Sequence, residues 1–243
     1  MARFLLIHGA WHGAWCWEKV VPLLEAKGHR AWAIDLPGHG ADPTPPGEVT
    51  LKAYTDRIGA ALAEWGGPAI LVGHSMGGVP IAQSAEQWPE RVEALVYLTA
   101  FLLQDGQRMA DVRPSAPGAP PPPYLEVSAD GTFTRFRAEM ARDLFYHRCA
   151  PEDAARAESR LGPQPSSIGQ TPLRLTPERW GRVPRYYIQC LDDRAVPIAL
   201  QRQMLEAVPC RRVFSLDADH SAFYSAPEAL VAILDEVAKT TRG

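Results

Sequence analysis

Residues 70 to 78, Ile70-Leu71-Val72-Gly73-His74-Ser75-Met76-Gly77-Gly78, constrain this chain more than any other stretch. An apolar, β-like run ends in G-x-S-x-G and passes without a break into a helix-like segment. A serine hydroxyl is a poor nucleophile. Chemistry through it needs a tight strand-to-helix turn where a base can reach the oxygen and backbone amides can receive a developing oxyanion. Glycines two before and two after Ser75 remove the side chains that would collide at such a turn. The pattern is short enough to arise by chance, so its weight comes from its surroundings.

Those surroundings alternate short apolar runs with longer amphipathic stretches, the signature of a parallel sheet covered by helices. Strands are predicted at 4–8, 31–35, 69–73, 94–99, 185–190 and 212–216, with helices at 15–26, 51–65, 76–87, 198–207 and 226–239. Six strands joined by right-handed helical crossovers give an α/β fold with a doubly wound, mostly parallel sheet. A length of 243 residues suits one such domain with an insertion. The alternation breaks between about 103 and 182. There a proline tract at 114–123 acts as a stiff connector, and helical patterns follow at 136–147 and 151–161. The expected organisation is a core of 1–102 and 183–243, with 103–182 inserted after the fourth strand as a helical cap.

Lys and Arg number 25 against 28 Asp and Glu, and no basic block suits a phosphate backbone, so nucleic acid is not an expected partner. The start lacks a long apolar leader and no run is long enough to span a bilayer. The expectation is therefore a soluble, cytoplasmic protein with no membrane partner. Cys16, Cys149, Cys190 and Cys210 lie far apart without C-x-x-C or metal-site spacing, and no H-E-x-x-H occurs. They read as reduced structural thiols, and neither metal nor cofactor is implied. The oligomeric state stays open, a homodimer included.

A serine nucleophile needs a histidine to take its proton and a carboxylate to hold that histidine in the right tautomer. On this type of sheet the three follow in the order Ser, acid, His, in loops at the carboxyl ends of strands. His220 follows the last predicted strand and is the expected base, whereas His74 inside the turn reads as a packing or hydrogen-bonding neighbour. For the acid, Asp192 and Asp193 compete at the end of the fifth strand, with Asp105 a more distant choice. Only one of two adjacent side chains can point toward the imidazole. Asp217 and Asp219 are expected to shape the histidine loop. The Met76 amide, at a helix start, and an amide from the loop after the first strand, placed at Ala10, are the expected oxyanion donors. A phosphate loop is disfavoured there, because G-x-G-x-x-G is absent and Trp11 and Trp15 would crowd a phosphate.

With these parts in order, the chain resembles the α/β-hydrolase superfamily over nearly its whole length. Leu6-Ile7-His8-Gly9-Ala10-Trp11-His12-Gly13-Ala14-Trp15-Cys16-Trp17, Pro22 to His29, Leu71 to Gly78 and Thr99-Ala100-Phe101 are similar to the group of plant methylesterases, hydroxynitrile lyases and bacterial carboxylesterases. In that group the acid sits just before an x-x-[IV]-P segment. Asp193-Arg194-Ala195-Val196-Pro197 has that form, which favours Asp193. The lyases carry Thr after the first-strand histidine and Lys after the catalytic one. This chain has Gly9 and Ser221, so cyanogenesis is disfavoured. Asp35-Leu36-Pro37-Gly38-His39-Gly40 departs from the plant members and fits a bacterial-type esterase better.

The resemblance thus implies hydrolysis of a small carboxylic ester through an acyl-enzyme on Ser75, with His220 and Asp193 completing the triad. Aromatics expected to line an apolar pocket are Trp11, Phe101, Phe136, Phe145, Tyr146, Trp180 and Phe223, although burial in the core is the default for each. An amide, lactone or carbon–carbon bond could be cleaved by the same machinery, and a non-catalytic receptor on this scaffold is the rival outside enzymes.

Overall fold

A computed structural model describes residues 1–112 and 122–242, so most of the proline tract lies outside the described residues. The strands are β1 (Arg3–Ile7), β2 (Arg30–Ile34), β3 (Ala69–His74), β4 (Val92–Leu98), β5 (Leu125–Val127), β6 (Phe133–Phe136), β7 (Gln164–Pro165), β8 (Arg185–Cys190) and β9 (Arg212–Leu216). Six of them pair in the order β2-β1-β3-β4-β8-β9, every neighbouring pair parallel. All six predicted strands are present, each within two residues of its expected ends.

The helices are α1 (Val20–Ala26), α2 (Leu51–Glu64), α3 (Gly78–Gln87), α4 (Met109–Val112), α5 (Ala138–Phe145), α6 (Pro151–Glu158), α7 (Ser166–Gln170), α8 (Ile198–Ala207), α9 (Ala222–Ser225) and α10 (Pro227–Arg242). Consecutive strand side chains point to opposite faces, and both faces are covered. Phe4, Leu6, Ile70, Val72, Ala94 and Val96 pack with α1 and α10 on one side. Leu5, Ile7, Leu71, Leu95 and Tyr97 pack with α2, α3 and α8 on the other. Every residue of β3 is therefore buried, which explains its uninterrupted apolar sequence.

Between β4 and β8 the chain is less helical than expected. β5, β6 and β7 form a small antiparallel sheet, and the helix predicted from 136 begins only at Ala138 because Phe136 ends a strand. The cause is a turn at Asp130-Gly131. Gly131 takes φ +71°, and Asp130 Oδ1 accepts hydrogen bonds from Ser128 Oγ, Thr132 N and Thr132 Oγ1. The reversal pairs Leu125 with Phe136 and Val127 with Thr134. Asp-Gly between alternating residues is a hairpin signal that the sequence carried.

At the β3–α3 junction backbone packs directly on backbone. A Cβ on Gly78 would lie 2.3 Å from the Phe101 carbonyl oxygen, and one on Gly73 would lie 2.6 Å from that of Gly77. Helix propensity alone makes Gly78→Ala stabilising by about 1 kcal/mol. The backbone clash reverses that sign, and the expected outcome is a loss of about 1 to 3 kcal/mol. The denaturation midpoint of the variant checks which effect wins.

Candidate active site

Ser75 sits at the end of β3 with φ +52°, a left-handed conformation that costs a non-glycine residue about 1 to 3 kcal/mol. The surrounding packing holds it there. A Cβ on Gly77 would meet His8 O at 2.7 Å, and one on Gly9 would meet His74 Nδ1 at 2.8 Å and Ser75 Cβ at 2.9 Å. The loop after β1 is thus pressed directly against the serine turn. Ala10 and Met76 consequently come to line the same cavity as Ser75. A threonine in place of Gly9 has no room without a shift of the turn.

The acid and the histidine come from the loops after β8 and β9. His220 Nδ1 lies 2.7 Å from Asp193 Oδ2, and both side chains are almost wholly buried. Asp193 Oδ1 accepts from the amides of Ala195 (2.7 Å) and Val196 (2.8 Å), a turn that fixes the carboxylate just before Pro197 and α8. Asp192 points the other way. Its half-exposed carboxylate faces His147 and Arg148, so the two adjacent aspartates are separated by orientation. Asp105 instead accepts from the Leu175 amide.

Thr99, part of the Thr99-Ala100-Phe101 motif, completes the environment of Asp193. It follows β4, takes φ +38° and donates its hydroxyl to Asp193 Oδ2. A β-branched residue in this conformation is a genuine outlier. Its place at the end of the strand next to β8 was the available signal. Asp219 anchors the histidine loop by accepting from the Ser221 amide, the Ser225 hydroxyl and the Arg148 amide. Asp217 pairs with the Arg148 guanidinium.

Four further histidines are buried around this centre, each facing a backbone carbonyl. A carbonyl oxygen only accepts, so the facing nitrogen carries the proton. His8 Nδ1 donates to Gly9 O, His12 Nδ1 to Ala10 O, His39 Nδ1 to His12 O and His74 Nε2 to His220 O, at 2.7 to 3.0 Å. Burial pushes His8 down to about 4 and His12 down to about 3, and it holds His39 and His74 well below the usual imidazole range. These rings are neutral struts for the loops around Ser75 and His220.

The cavity in front of Ser75 measures about 500 Å³. Trp11, Phe101 and Phe145 line it as expected, together with His220, Met109, Tyr124 and Gln164. Trp180 and Phe223 do not. Trp180 precedes the amino end of β8, away from the carboxyl ends that carry the site, and its ring stacks under the Arg185 guanidinium. Phe223, in the first turn of α9, packs in the core against His74 and Trp17. Phe136 lies behind Trp11 and Phe145, and Tyr146 binds His12. No Lys, Arg, Asp or Glu occurs among the described residues that line the cavity. Nor do the described residues contain a group of three His, Cys, Asp or Glu able to hold a metal ion.

Comparison with known proteins establishes the family and the fold. The alpha/beta hydrolase family model matches residues 4–233. The chain belongs to that family. It is 36% identical to a pyrethroid hydrolase of Sphingobium wenxiniae, over 96% of this chain and 86% of the relative. It is 33% identical to methylesterase 7 of Arabidopsis thaliana, over 97% and 96% of the two chains. It spans only 56% of the longer putative chloroplastic methylesterase 13 of the same plant. Among solved structures, a pyrethroid hydrolase of Sphingobium faniae superposes with a TM-score of 0.88 at 34% identity, covering 98% of this chain and 97% of the other.

The buried neutral histidines set a pH dependence of stability. The unfolded chain binds protons at these rings below about 6.5, whereas the folded chain resists them down to about 4 at His8. The unfolded state therefore holds more protons in that window, and stability falls as pH falls. The expected slope is up to about 1.4 kcal/mol per pH unit for each ring. Thermal unfolding across the window checks this, and a level midpoint would contradict it.

Proposed function

We propose that the protein hydrolyses small, uncharged carboxylic esters through an acyl-enzyme on Ser75. The observation that carries the reading is the buried His220–Asp193 contact of 2.7 Å, with His220 and Ser75 on the wall of one apolar cavity. Membership of a family whose relatives include methylesterases and a pyrethroid hydrolase supports a carboxylesterase-type enzyme.

In the proposed cycle Ser75 Oγ attacks the ester carbonyl carbon while His220 takes the hydroxyl proton. Asp193 fixes Nδ1 of the ring as a donor, which leaves Nε2 as the base. The charge that moves onto the carbonyl oxygen is received by the Ala10 and Met76 amides, each worth about 3 to 4 kcal/mol in the transition state. Collapse breaks the ester C–O bond, and the alcohol leaves with the proton from His220. Water then attacks the acyl carbon, His220 takes its proton, and collapse returns the serine hydroxyl and releases the acid.

The cavity wall supports an uncharged substrate, since a buried ionic group would find no counter-charge among the described lining residues. Gly9 and Ser221 favour hydrolysis over cyanohydrin cleavage, because no cation follows His220 to hold a departing cyanide.

The wild type is expected to turn over short-chain nitrophenyl esters, and Ser75→Ala to lower kcat by at least about 10⁴-fold. An inert wild type, or an equally active alanine variant, would overturn the reading. The two aspartates give a second test. Asp193→Asn is expected to slow acylation by about 10³- to 10⁴-fold. Asp192→Asn, which weakens only the contacts of a half-exposed carboxylate with His147 and Arg148, costs less than about tenfold. The opposite ranking in pre-steady-state acylation would reassign the acid.

A further inference from the structure

We infer that Tyr146, a residue of the inserted segment, is a positioning residue for the oxyanion hole, acting through His12 on the backbone at Ala10. The inference rests on the esterase reading above.

The direction of each hydrogen bond is fixed by chemistry. His12 Nδ1 lies 2.7 Å from Ala10 O and must be the donor, because a carbonyl only accepts. In a neutral ring Nε2 then has no proton and accepts. Its partner at 2.7 Å is the Tyr146 hydroxyl, which therefore donates. Burial keeps the imidazole neutral and raises the phenol, so the relay runs one way: Tyr146 to His12 to Ala10 O. Both side chains are almost wholly buried, so water does not replace either bond.

The loop that this relay grips needs holding. Trp11, directly after Ala10, takes φ +61°, an unfavourable conformation for a large side chain. Two more ties from the inserted segment grip the same turn. The Gly162 amide donates to Trp11 O at 2.8 Å, and the Trp11 indole donates to Thr134 Oγ1 at 3.2 Å. The relay sets the carbonyl of Ala10 itself, and these ties fix Trp11, the residue after it. Together they orient the chain whose preceding amide, Ala10 N–H, faces the developing oxyanion.

Tyr146 is itself anchored to the rest of the site. It ends α5 by donating its amide to Arg142 O, and the next residues meet both remaining catalytic loops. His147 contacts Asp192, beside the acid, and the Arg148 amide donates to Asp219, beside the catalytic histidine. One short stretch of the insertion thus references the oxyanion loop to the loops that carry Asp193 and His220.

The test compares Tyr146→Phe, His12→Leu and His12→Asn with the wild type, on a short-chain nitrophenyl ester and on a trifluoromethyl ketone whose adduct with Ser75 bears an oxyanion. Tyr146→Phe is expected to lower kcat about ten- to a hundredfold with KM within about twofold. Ketone affinity should weaken in proportion to the loss in kcat/KM. His12→Leu should match or exceed that loss. His12→Asn sets an amide nitrogen near the place of Nδ1, so it should recover most of the activity, and adding Tyr146→Phe to it should cost nothing more.

A folded Tyr146→Phe protein with wild-type kcat and ketone affinity would overturn the inference and leave the esterase reading intact. So would His12→Asn as impaired as His12→Leu at equal thermal stability, a comparison that stands even if Tyr146→Phe folds poorly. A wild type inert toward esters would overturn the esterase reading and this inference with it.

Discussion

The close approach of backbone to backbone around Ser75 is the constraint on which the rest of the site depends. The turn between β3 and α3 leaves no room for a Cβ at Gly73, Gly77 or Gly78, and Gly9 of the neighbouring loop is pressed onto the serine. These contacts hold Ser75 in a left-handed conformation that it would not adopt alone. They also bring Ala10 and Met76 to one cavity wall. The short strand-to-helix passage places the serine at the carboxyl end of the sheet, where the loops after β8 and β9 deliver Asp193 and His220.

Around that turn the protein solves a problem of polar burial. The loops beside Ser75 and His220 cannot satisfy their carbonyls in a ladder, yet here they lie under the insertion and out of water. Neutral imidazoles supply the missing donors at Gly9, Ala10, His12 and His220. A neutral ring offers one donor and one acceptor, so His12 and His39 each pass the constraint on to a tyrosine hydroxyl. The acid is treated differently. Asp193 takes four hydrogen bonds, from Thr99, His220 and two amides, which suits a group that only accepts.

Much of this was legible in the sequence, for local reasons. The strands announced themselves because both faces of the sheet are covered, and the serine turn because glycine at fixed offsets has a steric cause. The inserted segment was harder. Its hairpin at Asp130-Gly131 carried a usable turn signal, but Phe136 lay between a strand and a helix pattern, and tertiary pairing with Leu125 decided it. Trp180 and Phe223 were misplaced as pocket residues because aromatic identity does not say which end of a strand, or which side of a loop, a ring will occupy. Thr99 and Tyr146 were legible only as a motif residue and an aromatic, since their hydrogen bonds are made with partners 94 and 134 positions away.

The sequence by itself determined the sheet, the tight turn at Ser75 and the order in which Ser75, Asp193 and His220 follow their strands, because each follows from hydrophobic period, glycine sterics or the succession of strand ends. Tertiary structure decided which of two adjacent aspartates meets His220, which aromatics face the cavity, and which buried rings bond the backbone of the loop after β1. The physical reason is that side-chain direction in a loop depends on what packs against it. Asp192 turns outward to His147 and Arg148 while Asp193 turns inward to Thr99 and His220.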